Sequence, residues 1–170
     1  PDGSAGRTID DDREAVLVNR RRAAGAILPS AELVTVHQIH SPDVMTVSEA
    51  VSLDARPQAD AMVTDRPGLL LGILTADCVP VLFADHEAGV IGAAHAGWKG
   101  AISGVTDNTL MAMETLGADR SNIACAIGPC IAQKSYEVDD GFYRRFVEEA
   151  DENERFFGSG KPGHWQFDIE

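Results

Sequence analysis

The 170-residue chain is long enough for one domain with a true core, and 44% hydrophobic residues place it among globular rather than disordered proteins. A net charge of −13 argues against a nucleic-acid partner held through its phosphates. No apolar run approaches the roughly 20 residues of a membrane span, and no charged stretch leading into an apolar one marks a secretory leader.

In chain order, Pro1 to Gly6 reads as an unstructured beginning, and Asp10 to Asp12 can cap a helix running to about Ala24. Leu33 to His37 and Val44 to Val47 read as short strands around a Gln-Ile-His-Ser-Pro turn. Ala61 to Thr64 is a further strand, closed by the turn signal Arg66-Pro67-Gly68. Leu69 to Leu74 and Val79 to Phe83 are nearly continuous apolar runs, as in strands covered on both faces. Gly89 to His95 is a third strand, built from small residues. Ala101 to Leu116 carries Ile102, Val105, Thr109, Leu110, Met113 and Leu116 at helical spacing, with Gly117 placed to end the helix. Ile123 to Ile127 is a strand that stops at Gly128-Pro129-Cys130, and Asp139 to Ala150 is a last helix. Strands and helices alternate without a regular βαβ repeat, which favours an α+β fold.

Three cysteines, Cys78, Cys125 and Cys130, make no disulfide framework, and reduced thiols suit the cytoplasm. The acidic residues gathered between Glu137 and Glu154 read as a solvated face. Of five histidines, His86 and His164 sit in loop-like sequence, and His37 and His40 point to opposite sides of an extended segment. His95 stands out because Ala93-Ala-His-Ala-Gly-Trp-Lys-Gly100 sets it, Trp98 and Lys99 among small residues before a helix. Cys78 follows Asp77 at the head of an apolar run, where it reads either as a small buried hydrophobe or as a reactive thiol. His40, Cys78 and His95 lack the compact spacing of a metal finger. One thiolate and two imidazoles nonetheless satisfy a catalytic zinc, which takes three protein ligands and leaves a position for water.

Six motifs stand in order: Gln38-Ile-His40, Asp60-Ala-Met-Val-Thr64, Thr75-Ala-Asp-Cys78, His95-Ala-Gly-Trp-Lys-Gly100, Gly128-Pro-Cys-Ile131 and Ser135-Tyr-Glu-Val138. Together they resemble the YfiH family, also called the laccase-domain or polyphenol-oxidoreductase family. The resemblance runs from about Asp11 to the end of the chain. It implies an α+β fold of layered mixed sheets flanked by helices, distantly shared with the cytotoxic necrotizing factor toxins. It also implies a zinc site made of His40, Cys78 and His95. The activities it implies are phosphorolysis of adenosine, inosine, guanosine and methylthioadenosine, and deamination of adenosine. Copper-dependent phenol oxidation and a part in peptidoglycan fidelity are also ascribed to members. Ser41 stands where the family has glycine. The family's Thr-Arg-x-Gly-Gly segment and its C-terminal strands find no match, so the chain reads as one YfiH-like domain over residues 1–170, incomplete at both ends.

On this reading Cys78, Asp77 and His95 are the catalytic residues, with Asp77 as proton carrier. Gln38, Trp98, Lys99 and Cys130 surround a purine nucleoside. Trp98 stacks on the base, and Lys99 with the helix beginning at Ala101 seats phosphate. Cys125 is expected to be buried and inert, and Cys130 to approach the pocket wall without binding metal. A multicopper oxidase needs a His₂Cys site plus a histidine-rich cluster, which five scattered histidines cannot build. A single copper in the Cys/His₂ site remains compatible with weak oxidation. A third class is a metal-free cysteine hydrolase or deamidase with Cys78 attacking and His95 as base. A fourth is a binding protein with a structural zinc.

Overall fold

The computed structural model describes residues 12–170. The Asp10 and Asp11 part of the predicted cap, and Pro1 to Gly6, lie outside the described residues. Asp12 itself caps helix α1 (Arg13–Ile27), its carboxylate accepting from the Glu14 N–H at 2.9 Å. The helix runs one turn past the predicted end.

A five-stranded sheet forms the centre. Its strands in chain order are β2 (Val44–Thr46), β3 (Ala61–Thr64), β5 (Val79–Asp85), β6 (Val90–Ala96) and β7 (Ala124–Ile127), and its spatial order is β2-β3-β6-β5-β7. Strands β2 and β3 pair parallel, and every other neighbour is antiparallel. A separate parallel pair joins β1 (Glu32–Val34) to β4 (Leu69–Leu71). Near the end of the chain β8 (Glu137–Asp139), β9 (Phe157–Ser159) and β10 (His164–Phe167) form a third sheet in the order β8-β10-β9. The fold is α+β with mixed sheets.

Two side-chain layers fill the space on either face of the central sheet. Ala61, Val63, Val81, Phe83 and Ala94 face helix α3 (Val105–Thr115), which buries Val105, Thr109 and Met113 against them. The approach is close because Gly92 has no side chain. A Cβ there would meet Met113 Sδ and Thr109 Cγ2, both at 3.1 Å. On the opposite face Met62 packs with Val34, Val36, Val47, Ala59 and Leu69, which places the β1–β4 pair behind β3. A third, aromatic cluster of Phe142, Phe146, Phe157 and Phe167 joins helix α4 (Asp140–Glu149) to the β8–β10 sheet.

Several predicted elements are corrected. The helix expected as one piece from Ala101 to Leu116 is two: α2 (Trp98–Ile102) and α3. Gly104 adopts φ +83°, a left-handed conformation that glycine takes without the usual Cβ penalty, and it breaks the run. Helix α2 thus starts at Trp98, three residues early. The apolar run to Leu74 stops as a strand at Leu71, because Gly72 to Cys78 form a loop. Strand β5 alternates: Val79, Val81 and Phe83 are buried, while Leu82 is 54% exposed, so it is covered on one face only. Edge strand β7 is exposed along its length, and Cys125 is exposed rather than buried.

Met113 lies at the centre of the α3 layer and is fully buried. Met113→Ala is expected to cost about 2–5 kcal/mol, the range for truncating a buried aliphatic side chain. Urea unfolding measures it, and a loss below 1 kcal/mol would contradict the packing described.

Candidate metal centre

Strand β6 is the middle of the sheet, and both of its neighbours run against it. Its C-terminal end therefore meets the N-terminal ends of β3 and β5. His95 sits one residue before the end of β6, Cys78 immediately precedes β5, and Asp60 immediately precedes β3. The fourth participant, His40, arrives on the loop between β1 and β2. Residues distant in sequence meet because three strand ends meet.

The ligand-type atoms of His40, Cys78 and His95 all lie within 4.8 Å of one another, and among the described residues this is the group of His, Cys, Asp or Glu that could hold an ion. Cys78 Sγ lies 3.7 Å from His40 Nε2. Two ligands of a tetrahedral zinc, at ~2.3 Å for sulfur and ~2.0 Å for nitrogen, stand roughly 3.5 Å apart. The Cys78–His40 spacing and the donor set both fit. The two imidazoles meet edge to face, with ring centroids 4.8 Å apart. Gly97 leaves the room they need: a Cβ there would come within 2.6 Å of His40 Cδ2 and 3.0 Å of Cys78 Sγ.

His95 is 4% exposed and Asp60 is fully buried. His95 Nδ1 lies 2.8 Å from Asp60 Oδ1, and the His95 N–H donates to the Asp60 carbonyl at 2.7 Å. Asp60 Oδ2 accepts from the Ile39 N–H at 3.0 Å and from the Ser41 N–H at 2.7 Å. Those bonds hold the segment on which His40 takes φ +61°, a left-handed backbone that a side-chain-bearing residue adopts at a cost.

Electrostatics follow from these contacts. Burial by itself would lower His95, but its hydrogen bond to Asp60 and its proximity to Cys78 win, and its pKa rises to about 9. Burial likewise opposes ionisation of Asp60, yet the His95 bond and the Ser41, Ile39 and His40 amides hold its carboxyl below the usual range. His40 is shifted down, chiefly by burial, then by the neighbouring charges of His95 and Lys99.

The other predicted residues are distributed as follows. His37 is exposed and bridges to Gln58, and it is not part of the group formed by His40, Cys78 and His95. Gln38 clamps the loop that leads to Cys78: its Nε2 donates to the Leu74 carbonyl at 2.7 Å and its Oε1 accepts the Leu74 N–H at 2.9 Å. Asp77 is exposed, and its carbonyl accepts the Ile131 N–H at 2.9 Å. Trp98 turns toward the aromatic cluster, 4.9 Å from Phe142 by ring centroids, with Lys99 Nζ at 5.5 Å and Arg145 Cζ at 5.1 Å from its ring. Lys99 is exposed. Cys130 is half-buried and lines a cleft of about 550 Å³ with Gly128, Gln133, Asp168 and Glu170. Burial, then Glu170 and Asp168, pushes its thiol up. His40, Cys78 and His95 do not line that cleft.

Two further residues near the centre carry no clear site signal in the sequence. Asp60 was visible only as the first letter of a motif, and nothing in its spacing links it to His95. Tyr136 is half-buried, and burial raises its hydroxyl, with a further contribution from Cys78 and Asp77. It stands close enough to feel both.

A family model described as multi-copper polyphenol oxidoreductase laccase matches residues 3–170, and the chain belongs to that family. Within it the structural likeness is to the YfiH proteins. Bacillus licheniformis YfiH superposes with a TM-score of 0.85 at 30% identity, over 96% of this chain and 65% of that one. A Neisseria meningitidis protein superposes with a TM-score of 0.84 at 32% identity, over 98% of this chain and 66% of that one. In sequence, a purine nucleoside phosphorylase of Rickettsia conorii is 37% identical over 157 residues, which is 92% of this chain and 64% of the relative. One of Streptomyces griseus is 47% identical over 135 residues, 78% of this chain and 55% of the relative. The chain thus spans less than two thirds of the length of these relatives. Among the described residues no helix is long and apolar enough to cross a membrane.

The raised pKa of His95 has a direct consequence in metal-free protein. The stabilisation is complete below the ordinary value of 6.5 and is lost as the pH rises through about 9. The urea midpoint is expected to fall over that window, and the fall should shrink in His95→Asn. A midpoint that does not change between these limits would contradict the His95–Asp60 pairing.

Proposed function

We propose that the chain carries the zinc centre of a purine nucleoside enzyme, with His40 Nε2, Cys78 Sγ and His95 Nε2 as the ligands. The observation that carries the reading is the convergence of these three side chains, in a chain whose relatives at 37–47% identity are named purine nucleoside phosphorylases. The reactions proposed are phosphorolysis of adenosine, inosine, guanosine and methylthioadenosine and deamination of adenosine. Bound zinc would supply Lewis acidity and lower the pKa of a coordinated water.

The protein's own residues do the rest. Asp60 holds the proton on His95 Nδ1 and leaves Nε2 free for the centre. Asp77, exposed and next to Cys78 in the chain, is the proposed proton carrier. Lys99 is the cation whose charge reaches His40, and it offers a local positive site for phosphate on an otherwise acidic chain. With α2 beginning at Trp98, the phosphate seat is assigned to Lys99 itself rather than to a helix start at Ala101. Trp98 offers a purine whatever its packing against Phe142 leaves exposed. Gln38 supports the site through its clamp on Leu74, and Cys130 contributes to the wall beyond Asp77. A cytoplasmic setting suits three free cysteines.

A second reading has one observation in its favour. Cys78, His95 and Asp60 follow the order of nucleophile, base and orienting acid, with the last bond at 2.8 Å. A metal-free cysteine hydrolase or deamidase would show a covalent adduct on Cys78 by mass spectrometry. Zinc should protect Cys78 from alkylation if the metal reading holds. Copper chemistry has less support, because the described residues bring together one group of metal-type ligands and not the several that a multicopper oxidase needs.

Cys78→Ala removes the only soft anionic ligand of a site placed at strand ends rather than in the core. The variant should keep its circular dichroism spectrum while losing tight zinc binding and nucleoside turnover. Retained stoichiometric zinc would sink the assignment.

Lys99→Glu should depress phosphorolysis much more than deamination, since water needs no anion seat. Rates for both reactions, measured side by side on wild type and variant, decide it; equal losses would remove Lys99 from the phosphate site.

A further inference from the structure

We propose that Asp60 is the positioning residue for both imidazoles of the centre, and that its negative charge is required because no neutral side chain of its shape can serve both. The inference rests on the metal reading above.

Three donors converge on one carboxylate. Oδ1 lies 2.8 Å from His95 Nδ1, and Oδ2 takes the Ile39 and Ser41 N–H groups at 3.0 and 2.7 Å. A carboxylate is acceptor-only and can satisfy all three. On one side it keeps a proton on His95 Nδ1, so that Nε2 is the nitrogen that gives its lone pair to a bound metal. On the other it holds the amides that flank His40 and so maintains the φ +61° at which His40 Nε2 reaches 3.7 Å from Cys78 Sγ. Asp60 is fully buried, so no water can replace a lost partner without an opening of the loop. Its own backbone is fixed as well, through the bond from the His95 N–H to its carbonyl.

Asparagine has the same shape but only one acceptor oxygen. If its amide nitrogen faces His95, it donates to Nδ1, the ring proton moves to Nε2, and that ligand is blocked. If the nitrogen faces Ile39 and Ser41, donors meet donors, the loop is expelled and His40 leaves the centre. Either orientation costs one ligand.

The experiment compares zinc affinity of wild-type protein and Asp60→Asn by competition with a chromophoric chelator, with circular dichroism on the same samples. Asp60→Asn is expected to stay folded and to bind zinc about 10–100-fold more weakly, the usual effect of losing an outer partner of a metal-bound histidine. Wild-type affinity in a folded Asp60→Asn protein overturns the proposal. A second measurement needs no variant. In wild-type protein, nitrogen-15 NMR should show His95 protonated at Nδ1, with slow exchange of that proton and of the Ile39 and Ser41 amides. A neutral His95 carrying its proton on Nε2, or fast exchange at all three, overturns the proposal even where Asp60→Asn fails to fold. Failure of the wild type to bind zinc defeats the metal reading by itself, while the NMR result on the same protein still decides the role of Asp60.

Discussion

Strand β6 constrains the rest of this structure. It is hydrogen-bonded on both sides by antiparallel partners, and from Gly92 to Ala96 every residue is buried. Only small residues fit that position, with α3 pressed on one face and the layer behind β3 on the other. Among Gly92, Ala93, Ala94 and Ala96, His95 is the single large polar side chain. It is accommodated because Asp60, the residue before the neighbouring strand, arrives at the same level with a carboxylate. Without that partner a buried imidazole would carry an unsatisfied donor. The sheet and the site therefore solve one problem together.

Much of the fold was legible because periodicity survives in sequence. The small-residue strand ending at His95, the stripe Val105, Thr109, Met113 and the last helix all emerged from spacing alone, since each buries a single face. What failed had physical reasons. Gly104 lay inside an apolar stripe that continues in register on both sides of the break, so periodicity hid the left-handed residue that splits the helix. The apolar run from Val79 has the composition of a strand covered on both faces. Leu82 and its neighbours Ala124 and Ala126 on β7 form a surface that composition cannot distinguish from a core.

The site was half legible. His40, Cys78 and His95 are marked by residue type and by resemblance, but only the sheet order explains why separations of 38 and 17 positions close to a few ångströms. Asp60 was missed because its importance lies in what it touches across strands. Trp98 and Lys99 were read together, yet neighbours on a helix face different ways. Trp98 belongs to the aromatic cluster, while Lys99 is exposed and its charge is felt at His40.

Strand β7 bonds to β5 along one side, and its other backbone edge has no strand partner among the described residues. Its four residues, Ala124 to Ile127, bear no charge and no proline, the features that usually discourage strand addition. Cys125 and Ile127 lie on one face of it and Ala124 and Ala126 on the other, all solvent-facing. The sheet is thus geometrically unfinished at this margin, and a sixth strand could continue its ladder. Edge-to-edge pairing at that margin would grow with protein concentration, and Cys125 on the same strand is open to oxidants.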